Sequence, residues 1–597
     1  MNVPNYFVSP TDSYSQRLSE REAGISRFDR MHARLGSARL ALAASLLIAA
    51  WFCFAARAMS AGWLLIPVAG FVALVLYHRR VLHERTQAGR AVAFYRAGLA
   101  RIRDQWRGTG LAGARFDAPH HPYGADLDLF GEGNLYELLC TARTPMGENV
   151  LAHWLLTPAD LDTIRARHSS IHDLRGRLNL REELAILGPK PRIGLQPGAL
   201  IAWAHAPNRL NRPWIRWTAP LLAFLALAAA AVWGMWGIRF PLFAVVLAEI
   251  ALAHALKEPI LEAITAVESA HEDLKGLTVL LRRLEVEAFD APPLRALIAQ
   301  LCSHSYSASK AMSKLATIVN FVESRRNPLL APLLLLIMYP LQAAIAAERW
   351  RAAHGHAIRA WLDVLGEFEA LASLAGYAYE HPDDSIPEFL EGPAAFCATQ
   401  LGHPLIPAAT RVCNDVNLSK DVRILLVSGS NMSGKSTLLR TVGINAVLAM
   451  AGAPVRAKLL RLTPLQVGAS IRINDSLHAG SSRFYAEITR LRQLFEPTKW
   501  PLLFLLDELL QGTNSADRRI GAEGVIRALL KRGAIGLIST HDLALGAVPG
   551  LEEGALQNVH FQDELAGGKL KFDFKLQPGV VTKSNGVELM RSIGLDV

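Results

Sequence analysis

Cysteine is scarce and follows no pattern. The 597 residues include five, at Cys53, Cys140, Cys302, Cys397 and Cys413, with no Cys-x-x-Cys pair and no metal-ligand spacing. That excludes a disulfide framework and a zinc centre, and it implies reduced, partly buried thiols in a cytoplasmic setting. Internal repeats and low-complexity tracts are lacking, which excludes solenoid architectures. Acidic charge is the smaller share: 53 Asp and Glu stand against 63 Lys and Arg, for a net charge of +10. Such a balance invites a nucleic-acid reading. Much of the basic excess, however, flanks apolar runs, where anionic lipid accounts for it equally well. Charge alone therefore does not establish DNA binding.

Apolar residues are abundant, at 51% of the chain, and they are concentrated. Ser37–Ala56 has one charge near its start, Ser60–Tyr77 has none, and Arg57 lies between them. A bilayer core takes about 20 apolar residues, so the two read as a transmembrane hairpin. Thr218–Trp236 and Phe240–Leu256 read as a second hairpin, whose second member is the weaker because it carries Glu249 and His254. Buried core helices are the alternative for each pair. A cleavable signal peptide does not fit, because the first run starts far from Met1 and another follows at once. A fifth run, Pro328–Ala347, carries three prolines and reads as a core or interfacial helix rather than a span.

The flanking charges give a topology. Arg27, Arg30, Arg34 and Arg39 precede the first hairpin, and Arg79, Arg80, Arg85 and Arg90 follow it. Arg209, Arg212 and Arg216 precede the second, and Lys257 follows it; only Arg57 and Arg239 occupy the short turns. By the positive-inside rule both hairpins leave from and return to the cytoplasm, which implies an inner (cytoplasmic) membrane location with the large segments on the ATP-containing side.

Residues 429–437 read GSNMSGKST directly after the apolar run Ile424–Ser428. This is G-x-x-x-x-G-K-[ST] at the end of a buried strand and the start of a helix, the context a phosphate-binding loop requires. Candidate ATP-binding residues are Gly429, Ser430, Asn431, Met432, Ser433, Gly434, Lys435, Ser436 and Thr437. Backbone N–H groups of such a loop cradle phosphates, the lysine reaches the β/γ-phosphates and Ser436 offers its hydroxyl to Mg²⁺. A structural Gly-rich turn is the bland alternative. Trp500–Thr513 (WPLLFLLDELLQGT) is an apolar strand ending in Asp507-Glu508. Asp507 is placed to hold Mg²⁺ and Glu508 to activate an attacking water. Two acids favoured at a helix N-terminus are the alternative. A third apolar run, Ala534–Thr540, leads to His541, read as a sensor of the γ-phosphate at a strand end where ligands bind in parallel α/β sheets. Lys435, Glu508 and His541 are thus the catalytic candidates.

Together GSNMSGKSTLLRTVG, SSRFYAEI (Ser481–Ile488), DELLQGTNSADR (Asp507–Arg518), STHD (Ser539–Asp542) and the tail KFDFKLQPGVVTKSNGVELMRSIGL resemble the ATPase domain of the MutS mismatch-repair family. The spacing from Lys435 to Asp507 is close to that family and short for a membrane transporter's ATPase. GHPLIP (Gly402–Pro407) and CNDVNL (Cys413–Leu418) resemble the family's lead-in, which implies Asn414 and Asp415 near the adenine. Less sharply, Asp126–Leu174 resembles the start of the MutS core region and Leu365–Ala375 its returning helix. The resemblance implies ATP and Mg²⁺ as cofactors and a homodimer of two ATPase domains. Each would supply Ser482 in trans to the other's γ-phosphate. Arg483 stands where the family usually has Thr, either supplying transition-state charge or lying as a surface cation.

The expected fold is multidomain: an α-helical core and arms with transmembrane hairpins, plus a C-terminal α/β P-loop (ABC-type) ATPase domain. Its parts are a polar tail over 1–36, a transmembrane hairpin over 37–78, a helical linker over 79–125 and a core-like helical region over 126–217. A second apolar hairpin follows over 218–256, a helical arm with returning core helices over 257–400, and the ATPase domain over 401–597. Pro292-Pro293 breaks the arm. The family's mismatch-reading domain and C-terminal dimer support are expected to be missing. Phe368-Glu369 falls inside a core helix, facing packing rather than DNA. Two functions stay open: a MutS-like ATPase acting on double-stranded DNA, mismatched or branched, or a membrane mechanoenzyme coupled to a protein or lipid partner. A transporter fits least.

Overall fold

The computed structural model describes residues 9–56, 58, 60–187, 197–210, 212–268, 271–303, 306–323, 331–430, 432–472, 483–510, 514–541, 554–566 and 569–580. The chain divides into two compact units, one of residues 1–106 with 177–188 and one of 107–176 with 189–597.

The first unit is an antiparallel pair of long helices, Pro10–Phe54 and Leu65–Ile102, with a shorter helix, Leu178–Leu187. Ser9 starts the first helix by accepting the Asp12 N–H, and Pro10 sits where its missing N–H costs nothing. From Pro10 onward, the polar stretch read as a tail is therefore the opening of the same helix that carries the first apolar run. Cross-helix pairs hold this polar half: Arg85 to Asp29 at 2.5 Å and Arg96 to Glu22 at 2.6 Å. Beneath them Tyr14 meets Tyr95 edge-on, both rings fully buried. Glu182 on the short helix accepts the Tyr95 hydroxyl at 2.6 Å and pairs with Arg21 at 2.7 Å.

Helices long and apolar enough to cross a membrane are Pro10–Phe54, Gly62–Ile102 and Pro213–Trp236. Phe240–Ala255 with Lys257–Thr265 passes the same test only as a pair, bent by 66°. The apolar stretches leave large side chains outward, among them Leu47, Trp51, Leu65 and Phe224. The fifth apolar run does not form one helix. Ala331–Leu336 ends, Met338 takes a left-handed φ of 49°, and Pro340 opens the 42-residue helix Tyr339–Glu380. Leu341, Ala344, Ile345 and Ala347 are buried in the helical core.

That long helix organises the second unit. It packs on Pro145–Leu156, Leu161–Arg175, Pro197–His205 and Ala308–Glu323. Phe368 is fully buried. Glu369 accepts the N–H groups of Arg143 and Thr144 at 3.2 Å each and the Thr144 hydroxyl at 2.5 Å. It holds the two residues that lead into the helix Pro145–Leu156, whose N-cap is Thr144, and faces packing. Burial pushes its carboxyl up to about 7, against the hydrogen bonds from Thr144 and Arg143. Its folded pKa lies above its unfolded one. The folded state thus holds an extra proton between roughly pH 4.5 and 7, and this site's contribution is lost as pH rises through that window. Thermal stability of the full chain is expected to fall from pH 5 to pH 7.5 by more in the wild type than in Glu369→Gln. Parallel melting curves for the two proteins would contradict the assignment.

After the long helix come two sheets. The smaller has four strands in the order Glu388–Phe389, Leu459–Leu462, Phe396–Leu401, Asn414–Leu418. The larger has six, in the order Lys569–Pro578, Leu556–Ala566, Ile424–Ser428, Ile535–Ser539, Leu502–Asp507, Gln466–Ser470. All neighbours in it run parallel except the outer pair 556–566 and 569–578. Ile424–Ser428 and Ile535–Ser539 are buried at every position, as strands covered on both faces must be. Register sets Asp507 beside Ser539 and Ser539 beside Val427. The carboxyl ends of three strands therefore converge where parallel α/β sheets bind ligands.

Candidate nucleotide site

The strand Ile424–Ser428 hands directly to the loop, and the loop to the helix Lys435–Ala451. Gly429 and Gly434 have φ of 149° and 103°. A Cβ on Gly429 would lie 2.7 Å from the Ser433 hydroxyl, and one on Gly434 would press on the Phe574 ring at 3.2 Å. Met432 is also left-handed and 86% exposed at the loop's crest. Lys435 is buried beneath the loop. Its ammonium donates to the Gly429 and Ser430 carbonyls at 2.9 Å each and lies 3.5 Å from His541 Nε2. Burial lowers its pKa, opposed by Glu508 and Asp507.

Ser436 donates to Asp507 Oδ2 at 2.5 Å, and Ser539 donates to Asp507 Oδ1. A hydroxyl and a carboxylate side by side at a helix N-terminus are the hard oxygen donors that a phosphate-bound Mg²⁺ uses. Glu508 follows with a left-handed φ of 53°; its N–H donates to the Ser539 hydroxyl at 3.1 Å, and its Oε1 lies 2.9 Å from His541 Nε2. The buried Ser430 and Ser433 hydroxyls have no hydrogen-bond partner among the described residues. Orphaned donors inside a glycine-opened loop, above a helix N-terminus, fit a bound phosphate chain.

The structure thus brings together Gly429, Ser430, Ser433, Gly434, Lys435, Ser436, Asp507, Glu508 and His541. Thr437 lies in the first turn of the loop helix, where its carbonyl accepts the Thr441 hydroxyl at 2.7 Å. Asn431 and Ser482 lie outside the described residues, and Arg483 opens the helix Arg483–Leu494. Asn414 bridges to the last strand, donating to the Phe574 carbonyl at 3.0 Å and accepting the Leu576 N–H at 2.9 Å. Asp415 accepts the Gln400 N–H at 2.7 Å. Asn414 thus pegs the smaller sheet to the larger one, while Asp415 ties two strands within the smaller sheet.

Ser539 was not singled out from sequence. It is fully buried and joins Asp507 to Glu508; its signal was a hydroxyl two residues before His541. Phe574 was missed as well. It has a left-handed φ of 55° and places a part-exposed ring against Gly434.

A second set of contacts reaches the segment that begins at Asp126. The Asp126 carboxylate accepts the N–H groups of Ile471 at 3.0 Å and Arg472 at 2.6 Å, and pairs with Arg490. Asp128 pairs with Arg472 at 2.6 Å, and a Cβ on Gly443 of the loop helix would strike the Leu127 side chain at 2.6 Å. Glu487, on the same helix as Arg490, accepts the Leu510 N–H at 2.5 Å, just past Glu508. Breaking a buried ion pair costs about 3 kcal/mol or more. Asp126→Ala is therefore expected to lower thermal stability and ATP turnover together; an unchanged melting profile would show that the pair carries no load.

The sequence profile of MutS domain V matches residues 425–596. The chain is 36% identical over 194 residues to the endonuclease MutS2 of Thermus thermophilus, covering 32% of this chain and 25% of that protein. It is 36% identical over 196 residues to the DNA mismatch repair protein MutS of Thermus aquaticus, covering 32% and 23%. A DNA mismatch repair protein MutS 2 of Haloarcula marismortui is 35% identical over 201 residues, covering 33% and 21%. The match spans about a quarter of the length of these relatives, and the matched segment contains the loop, the two acids and His541.

Proposed function

We propose that this chain is a membrane-anchored, Mg²⁺-dependent ATPase of the MutS type. It closes two copies around ATP and uses that closure to act on DNA, mismatched or branched. The observation that carries the reading is the convergence of Lys435, Ser436, Asp507, Glu508 and His541 at the strand ends under a glycine-opened loop. The relatives' names supply the DNA role, the outward apolar helices support membrane anchoring, and the arginines flanking the apolar runs support a cytoplasmic side for the ATPase segment.

Lys435 and the loop N–H groups hold the phosphates. Ser436 and Asp507 hold Mg²⁺, which when bound neutralises charge on the phosphate oxygens. Glu508 takes a proton from the attacking water, and its contact with His541 orients the imidazole toward the γ-phosphate. Ser539 keeps the Asp507 carboxylate and the Glu508 backbone in register. Phe574 offers a face to the base. Ser482 of one copy completes the other's site, with Arg483 beside it.

The exposed apolar helices favour one second reading, a mechanoenzyme that moves a lipid or protein partner without DNA. ATP turnover of the full chain in nanodiscs, with linear, mismatched and branched duplexes across a salt series, separates the two. The DNA reading expects stimulation that fades as salt rises, because phosphate contacts release counterions. A rate blind to every duplex would overturn it in favour of the mechanoenzyme.

A further inference from the structure

The weaker member of the second apolar pair carries a carboxylate in the wrong place for a structural helix. Glu249 lies mid-helix in Phe240–Ala255, is 6% exposed, and its Oε1 has no hydrogen-bond partner. It lines a groove of about 380 Å³, against Val246, Ile250, Ile260, Leu336 and Leu341. Val246, Glu249 and Ile250 share one helix face by their spacing. Ile260 comes from beyond the 66° bend, and Leu336 and Leu341 from either side of the left-handed Met338. Four chain segments thus line an open groove beside one acid, with Ile250 on its outer rim.

Buried polar atoms are normally paired, and an isolated buried carboxylate costs several kcal/mol unless it takes up a proton or meets a positive partner that keeps it ionised. Water does not answer the need, since a cavity with one polar wall cannot give a water cluster its partners. A divalent cation does not either, because the lining offers a single carboxylate and otherwise hydrocarbon and thioether groups. An anion would be repelled. The complement is one positive charge bearing N–H donors on an apolar body.

We propose that this cavity is a binding site for a lipophilic primary amine, its ammonium on Glu249 and its alkyl body against Val246, Ile250, Ile260, Leu336 and Leu341. The site lies apart from the nucleotide loop and does not rest on the ATPase reading. The test is equilibrium dialysis of radiolabelled octylamine against the full chain in nanodiscs, with empty nanodiscs subtracted. Octan-1-ol supplies the body without the charge, and ethylamine the charge without the body. Octylamine is expected to bind saturably, about tenfold or more tighter than either control, since a charge-assisted hydrogen bond is worth roughly that factor. Glu249→Gln is expected to remove this advantage, and Leu336→Trp to fill the space and abolish binding, with basal ATP turnover unchanged in both. Octanol binding as tightly as octylamine would overturn the proposal, as would full binding by Glu249→Gln or no saturable binding in the wild type. Should Glu249→Gln lose turnover, the wild-type comparison of amine with alcohol and the Leu336→Trp variant decide.

Discussion

A Lys435→Ala protein is expected to bind ATP roughly 100-fold more weakly than the wild type and to show no nucleotide-linked closure. The ammonium is already held under the loop by the Gly429 and Ser430 carbonyls, and burial together with Glu508 and Asp507 fixes its surroundings. Removing it takes a charge-assisted contact from the β/γ-phosphates, worth about 3 kcal/mol or two decades in affinity. It also leaves the two loop carbonyls without their donor. Fluorescent-nucleotide titration of the full chain reads the loss directly. ATP binding within a few-fold of wild type would remove Lys435 from the phosphate site.

Glu508→Gln is expected to separate binding from turnover. Glutamine keeps the size and one acceptor oxygen, and the backbone N–H that donates to Ser539 is untouched. It cannot accept a proton from water. A positioned general base contributes about 10²–10⁴ in rate, so turnover should fall by at least the lower figure while ATP stays bound. Two copies should then remain closed around ATP, visible as a persistent dimer in size-exclusion chromatography. Normal hydrolysis by Glu508→Gln would move the base elsewhere, with His541, 2.9 Å from Glu508, the next residue to test.

The parts of the site legible in the sequence were those written locally. A loop motif between an apolar strand and a helix needs only a dozen adjacent residues, and Asp507-Glu508 and His541 each end an apolar run. What joins these pieces is long-range and left weaker marks. Ser539 becomes visible only when register sets it beside Asp507, and Phe574 only when the last strand folds back over Gly434. Asn414 reaches a strand 160 residues away.

The fold divides the same way. The three prolines of Pro328–Ala347 read as marks of a core or interfacial helix; its described part instead forms two helices, parted at the left-handed Met338. The helical start at Pro10 was not legible, because its polar residues carry no apolar stripe of their own. They are held by partners on the returning helix, in the Asp29–Arg85 and Glu22–Arg96 pairs and the Tyr14–Tyr95 contact. Asp126 stood out only through resemblance, and its work depends on Arg490 far along the chain.

We propose a membrane-held ATP site that two copies complete. ATP turnover of the full chain in nanodiscs holding one copy, compared with nanodiscs holding two, tests this most directly. Mg²⁺-dependent turnover confined to the two-copy discs is the predicted result. Equal rates per chain in one-copy and two-copy discs, or no turnover in either, would contradict it.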